Sequence, residues 1–429
     1  MKKILFSIFS LIYLTINSKK ILEIPFKTYY PLLEKNISNY MNVMYNSTIG
    51  TEIEIGTPSN KFIAMFSLNS YYTFILSNES KSKISPLFYH KLSSTYKLIE
   101  SIRFFLLEYF NSGEFAEDKI KIGNKNFDKL NFALVTELND NYADQILSTV
   151  IIGLKPNKVY SKQEFPKYTF LNQLKEKKYI DNYIFRFEFN SKNDNGKLII
   201  GENPYEEDND NFLRIRIGNF EEVEIQQTWG ILFDNIHYGN YTFNRSTGVM
   251  IELNHEFIIA PINFLNSIKQ DFFDKNKEKC NQKSLSYGKS IYYECEKDID
   301  LSLMKNLCFE LKSIEYSFVF EPKDLFVEFE NKKFFIVIFF YDNINKWSFG
   351  KYFLKKYSIY FDKDKKIIGF YKYKKHNNSI LIIIITFLLI IIIVGLIFII
   401  FKILNKQRRK RVNELDDDFD YTTTEFLNK

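Results

Sequence analysis

Two short stretches carry the side chains best placed to do chemistry. From Met65 the chain reads Met-Phe-Ser-Leu-Asn-Ser-Tyr-Tyr-Thr-Phe-Ile-Leu, and from Met250 it reads Met-Ile-Glu-Leu-Asn-His-Glu-Phe-Ile-Ile-Ala-Pro. Each is an apolar strand, a polar turn centred on Leu-Asn and a second apolar strand, and the two lie about 185 positions apart. The first turn offers the hydroxyl of Ser67 and the second the carboxylate of Glu252, with His255 and Glu256 beside it. A serine nucleophile at Ser67 would need a base across the molecule, from Glu252 or His255, and a third group to orient that base; the sequence offers no candidate for the third. Metal chemistry at His255-Glu256 would need a second histidine four residues on, and none follows. With four histidines in the chain, His255 reads first as a turn residue, and neither a metal nor a cofactor is expected.

The elements that must position these turns are short. From Lys19 to about Tyr373 apolar and alternating segments are separated by polar turns, which is the pattern of a mainly β body. Helical spacing appears at Phe165 to Lys178, through Phe170, Leu171 and Leu174, and at Pro261 to Phe273, through Phe264, Leu265 and Ile268. Each follows a core strand, as one helix per lobe would.

The chain of 429 residues has room for one large or two medium domains, and its 45% apolar and 17% aromatic residues suffice for a core. The net charge of +6 is spread along a chain rich in Lys, Asn, Ile, Phe and Tyr, so it marks no nucleic-acid face.

Residues 1–18 combine Lys2 and Lys3, an apolar run from Ile4 to Ile16 and Asn17-Ser18, the layout of a secretory signal peptide. Ile380 to Phe401 is uncharged and long enough, as a helix, to cross a hydrocarbon core of about 30 Å. Lys402, Lys406 and the run Arg408 to Arg411 follow it, as on a cytoplasmic flank. The expectation is a single-pass type I membrane protein of the secretory pathway, endomembrane or cell surface, with the body in the lumen or outside and residues 402–429 as a cytoplasmic tail. That tail, basic and then acidic, is either a solvated stop-transfer flank or a sorting peptide for a cytoplasmic adaptor.

Three cysteines allow one bridge and one odd thiol. Cys280 and Cys295 flank Tyr287-Gly288 and are the favoured pair; Cys308, in the apolar stretch Met304 to Leu311, reads as a buried small hydrophobe. Glycosylation sequons stand at Asn36, Asn46, Asn78, Asn240 and Asn244.

Upstream of the first turn lies Thr51-Glu-Ile-Glu-Ile-Gly-Thr-Pro58, an alternating strand ended by a Gly-Thr-Pro turn. This resembles the opening of the pepsin-like aspartic peptidases, the eukaryotic aspartyl protease fold, where such a strand leads into Asp-Thr/Ser-Gly. Further landmarks resemble the family in order: Ser93 to Tyr96, Gly113 to Asp118 and on to Gly123, Ala143 to Leu147 for its Asp-Gly-Ile-Leu-Gly, Phe170 to Leu174, Gly196 to Gly201, Trp229, Trp347 to Tyr357, and Phe361-Asp362 with Ile368-Gly369-Phe370. The resemblance implies a bilobal double β-barrel with a central cleft, an N-terminal lobe over 19–205 and a C-terminal lobe over 206–373.

Laid on the family pattern, the two catalytic aspartate positions fall on Ser67 and Glu252, and the glycines of the turns on Asn69 and Asn254. The tip of the flap falls on Leu106, where the family carries a tyrosine. Two carboxylates sharing one proton are what the family's chemistry requires. A serine cannot be half of that pair, and the extra methylene of Glu252 displaces its oxygens by about an ångström, an error that can cost roughly 10²-fold. The expected protein is therefore a pseudoprotease without an intact catalytic residue that binds an extended peptide or protein in its cleft. The alternative is an active endopeptidase with an atypical centre that uses Glu252.

Overall fold

In the computed structural model the described residues are 20–30, 40–103, 110–138, 148–156, 166–190, 194–206, 211–217, 228–243, 246–285, 290–342, 346–372 and 402–404. The chain divides into two units, residues 1–373 and 374–429. Of the second, 402–404 are described and are helical. The expected signal peptide and the apolar stretch 380–401 lie outside the described residues, and among those described no helix is long and apolar enough to cross a membrane.

The body is mainly β, as the alternating pattern requires. Its first half is built from β1 (Leu22–Tyr29), β2 (Thr48–Ile55), β3 (Asn60–Ser67), β4 (Phe74–Leu76), β5 (Lys97–Arg103), β6 (Phe110–Ile122), β7 (Lys125–Leu138) and β8 (Val150–Gly153). Six of these close a barrel in the order β2-β3-β8-β4-β7-β6, with β6 returning to β2. Inward residues such as Ile53, Ile55, Phe62, Ala64, Ile120 and Ile122 are fully buried, while Glu52 and Lys61 between them point to water.

The second half repeats the strand pattern that holds the turn. In the first half β3 runs parallel to β8, β8 antiparallel to β4, and β4 parallel to β7. In the second, Thr247–Ile251 runs parallel to Trp347–Phe349, that strand antiparallel to Ile258–Pro261, and Ile258–Pro261 parallel to Val337–Phe340. The duplicated turns thus sit in duplicated frameworks. Between the halves runs an antiparallel array of Phe212–Arg216, Ile367–Tyr371, Ile359–Asp362, Ile184–Phe189, Asn195–Ile200 and β1, three strands from each half. At its centre Phe185 stacks on Phe361 with ring centroids 4.9 Å apart, and buried Trp229 packs edge-on against both. Trp229 Nε1 donates to the Leu154 carbonyl at 2.8 Å, so its polar edge is satisfied across the halves.

Both helical stretches read from the sequence are present but shorter: Phe170–Glu176, and Ile262–Ile268 continued by a π-type turn over Lys269–Phe273. A further helix, Lys351–Lys356, follows Trp347–Phe349. The strand that pairs with the first turn is Val150–Gly153, while the segment 143–147, read as the family's Asp-Gly-Ile-Leu-Gly landmark, lies outside the described residues. Ser67 stands in register with Gly153. The signal was the apolar pair and glycine of Ile151-Ile152-Gly153, matched in the second half by Phe349-Gly350.

Those two glycines are demanded by close approach. A Cβ on Gly153 would lie 2.5 Å from the carbonyls of Ser70 and Tyr72, and one on Gly350 would lie 2.5 Å from His255 Nδ1 and from the His255 carbonyl. In both halves the glycine lets the chain lie flat against the back of the turn. Replacing Gly350 with Ala should cost about 1–3 kcal/mol of stability through overpacking against backbone that cannot yield. Denaturant unfolding of the two proteins measures it; equal midpoints would show that the contact yields freely.

Candidate functional site

The first turn begins where β3 ends. Leu68 is buried and anchors the turn in the core, which leaves Asn69 exposed at its tip. Ser67 Oγ accepts from the backbone N–H of Asn69 at 3.2 Å and of Ser70 at 3.1 Å, so the hydroxyl holds the turn's own amides.

The second turn follows Ile251, with Leu253 buried and Asn254 exposed in the same way. Glu252 is oriented by its backbone N–H, which donates to the Phe349 carbonyl at 2.9 Å. Its carboxylate collects donors from three directions. Ser348 Oγ donates to Oε2 at 2.7 Å, His255 Nε2 lies 3.1 Å from the same oxygen, and Asn69 Nδ2 reaches across from the first turn to Oε1 at 3.1 Å. The two turns therefore meet, side chain to side chain. Burial pushes the Glu252 carboxyl up, but the hydrogen bond and field of His255, with the Ser348 and Asn69 hydrogen bonds, outweigh it and hold the group below its ordinary value.

His255 is 2% exposed and lies parallel to the ring of Tyr45, with centroids 6.3 Å apart. Its Nε2 must carry a proton to serve the carboxylate, and its buried Nδ1 has no hydrogen-bond partner among the described residues. The ring serves Glu252 and Ser348, at 3.1 and 3.2 Å, and no hydrogen bond joins it to Ser67. Among the described residues no group of three His, Cys, Asp or Glu side chains is arranged to hold a metal ion.

Behind the second turn lies a buried lysine. Lys351, fully buried at the start of its helix, donates through Nζ to the Ser47 carbonyl at 2.7 Å, to Ser47 Oγ at 2.9 Å and to the Leu253 carbonyl at 3.2 Å. Glu256 lies 3.6 Å away and is itself paired with Lys355 at 3.0 Å. Burial pushes the Lys351 ammonium down to about 8, partly opposed by Glu256. Lys351 thus ties the second turn to the segment that leads into β2.

The remaining sequence-derived positions divide into those described and those not. Leu106, Asn36 and Asn244 lie outside the described residues. Asn78 and Asn240 are exposed, whereas Asn46 is half-buried and donates to the Asn42 carbonyl at 2.9 Å. Cys280 and Cys295 form a disulfide, facing each other directly across the pair of strands Cys280–Lys283 and Ser290–Glu296. Cys308 is half-buried, not buried as its apolar neighbours implied: on Leu307–Leu311 the alternation turns Leu307, Phe309 and Leu311 inward and Cys308 outward.

Ser348, Lys351, Ser47 and the cross-turn role of Asn69 were not found from sequence. Ser348 was the most accessible of these, because strand alternation turns a polar residue between Trp347 and Phe349 to the opposite face, here toward Glu252.

Two cavities lie outside the two turns, and neither is lined by Ser67 or Glu252. One, about 1340 Å³, opens between β1 and β2, where its charges are largely paired with each other, as in Lys121 with Glu54 at 2.8 Å and Lys197 with Glu23 at 3.0 Å. The other, about 650 Å³, lies behind the second turn and is lined by Tyr30, Tyr40, Glu256, Tyr352 and Lys355 among others.

Paired strand frameworks that present one turn each to a shared centre define a pepsin-like protein. The chain belongs to the eukaryotic aspartyl protease family, whose sequence profile matches residues 49–373. No curated protein matches the sequence.

Lys351 gives a test of how the site is held. Lys351→Met should cost on the order of 3 kcal/mol at neutral pH, because it breaks a buried, hydrogen-bonded charge. The folded pKa of about 8 lies below the unfolded 10.5. Between those values the unfolded chain binds more protons, so wild-type stability gains a component that rises with pH and that the variant lacks. Denaturant unfolding of both proteins from pH 7 to 10 should show the difference widening; a constant difference would contradict the assignment.

Proposed function

We propose that the body is a pseudoprotease: a pepsin-like domain that binds an extended peptide or protein without cleaving it, carried on a single-pass type I membrane protein of the secretory pathway. The observation that carries this reading is the pairing at the centre. Opposite the Glu252 carboxylate stands the Asn69 amide, with the Ser67 hydroxyl behind it, and neither can take or release a proton in the acid range. Peptide hydrolysis by this family's route needs a second carboxylate to share the proton, so that one activates water while the other protonates the substrate. Glu252 is held ionised by three donors, which suits an acceptor and not an acid.

Peptide binding needs no proton transfer. Main-chain hydrogen bonds and side-chain pockets supply it, and the exposed Asn69 and Asn254 amides each offer both donor and acceptor to a chain laid over the turns. The membrane placement is supported by the apolar stretch 380–401 and the basic cluster after it, and the cytoplasmic tail is then available to a sorting adaptor.

Digestion of a peptide library from about pH 3 to 7, the range over which carboxylate pairs work, tests the reading. The purified body should leave the library intact, with or without a statine-type inhibitor, and should retain peptides in a pull-down. Inhibitor-sensitive cleavage that disappears in Glu252→Ala would instead establish the atypical active centre.

A further inference from the structure

The smaller cavity, of about 650 Å³, has the size of a small-molecule site and is walled by rings and carboxylates. Tyr30, Tyr40 and Tyr352 line it, and Phe329, stacked on Tyr40 at 4.2 Å and partly exposed, holds that ring in place on the solvent side. Three carboxylates line it too, Asp194, Glu256 and Glu330, against one lysine, Lys355. Lys355 Nζ lies 3.0 Å from Glu256 and 3.6 Å from Asp194, and Lys351 approaches Glu256 to 3.6 Å from outside the lining. The two lysines serve Glu256 and Asp194. Glu330 is exposed at the edge and has no ion pair among the described residues, so the cavity keeps one uncompensated negative charge.

Two further observations distinguish this from a solvated acidic surface. Glu256 is 4% exposed, and its Oε1 accepts no hydrogen bond, the Lys351 ammonium lying too far for one. The phenols of Tyr40 and Tyr352 have no hydrogen-bond partner among the described residues, and none of those residues places a cation over the rings of Tyr30, Tyr40 or Tyr352. Lys355 lies instead toward Phe189, 5.8 Å from the ring centroid. Burial, and then the fields of Glu256 and Asp194, push the Tyr40 phenol up to about 12, so negative potential reaches the ring itself.

Ring faces in a negative field favour a cation with alkyl substituents, which fills an aromatic cavity and needs few hydrogen bonds. An anion would be repelled, and a neutral ligand would leave the charge of Glu330 unanswered. A metal ion is not served, because Asp194 is engaged by the Tyr30 phenol and no three of the described acidic groups converge on one point. We propose that this cavity binds a small organic cation of the alkylammonium class, its charge against Tyr30, Tyr40 and Tyr352 and the Glu330 carboxylate at the entrance as counter-ion. The site goes beyond the peptide-binding reading and does not depend on it, since neither Ser67 nor Glu252 belongs to its lining.

Choline and its uncharged isostere 3,3-dimethylbutan-1-ol share a shape and differ in charge, so their comparison isolates the claim. Each is titrated into the purified full chain at constant ionic strength and followed through its methyl signal by NMR. Choline should bind about tenfold or more tightly than the alcohol, the scale of a desolvated cation–π contact. Butylammonium alongside separates a quaternary from a primary ammonium, and binding of either above the alcohol supports the class. Tyr40→Leu should weaken choline roughly tenfold and Glu330→Gln roughly threefold, with little change for the alcohol. Glu330→Gln alters an exposed side chain and carries the test if Tyr40→Leu does not fold. Three results would overturn the proposal: equal affinities for the cations and the alcohol, no binding of either cation at about 50 mM, or cation binding that both substitutions leave unchanged. Each leaves the peptide-binding reading as it stands.

Discussion

The Glu252 carboxylate is the constraint around which the centre of this protein is arranged. A charged oxygen pair taken largely out of water is costly unless donors replace the water. Here they come from three separate parts of the chain: Asn69 from the opposite turn, Ser348 from the neighbouring strand and His255 from the end of its own turn. Each donor is positioned by something else. Ser348 is aimed by strand alternation between Trp347 and Phe349, His255 is pressed against Gly350, and Asn69 is held at the tip by the Ser67 hydroxyl. Removing the negative charge would leave these groups arranged around nothing.

Duplication explains why the opposite turn is there to help. Each half places its turn at the end of a strand flanked by a parallel neighbour that ends in glycine (Gly153) or is followed directly by one (Gly350), and the six-stranded array between the halves sets the two frameworks against each other. The back of the second turn has in addition an unusual support. A fully buried lysine binds the Leu253 carbonyl and Ser47 together, where an apolar residue could fill the volume but not satisfy the carbonyls. Buried charge of this kind fixes one geometry at a cost in desolvation, and the depressed pKa of Lys351 records that cost.

Much of this was legible in the sequence where it depended on local pattern. The repeated strand-turn-strand units, the β character of the body, the two helical stretches and the Cys280–Cys295 pairing all follow from spacing and periodicity over a few residues. The order of landmarks placed the family, whose profile matches residues 49–373. What sequence reading missed depends on contacts between distant segments. Nothing near Asn69 announces that its amide will meet a carboxylate 183 positions away, and Lys351 looks like an ordinary solvated lysine until the helix start is folded against Ser47. Cys308 was misjudged because an apolar stretch was read without its alternation.

A carboxylate fixed in its charged form by neutral and basic donors is good at accepting hydrogen bonds and poor at moving protons. The direct measure of this account is the titration of Glu252 itself, followed by carbon-detected NMR of a side-chain-labelled protein. A single transition below the ordinary glutamate value of about 4.3 is expected, because the folded state favours the ionised form. A transition above that value, or two coupled transitions of the kind shown by carboxylates that share a proton, would contradict it.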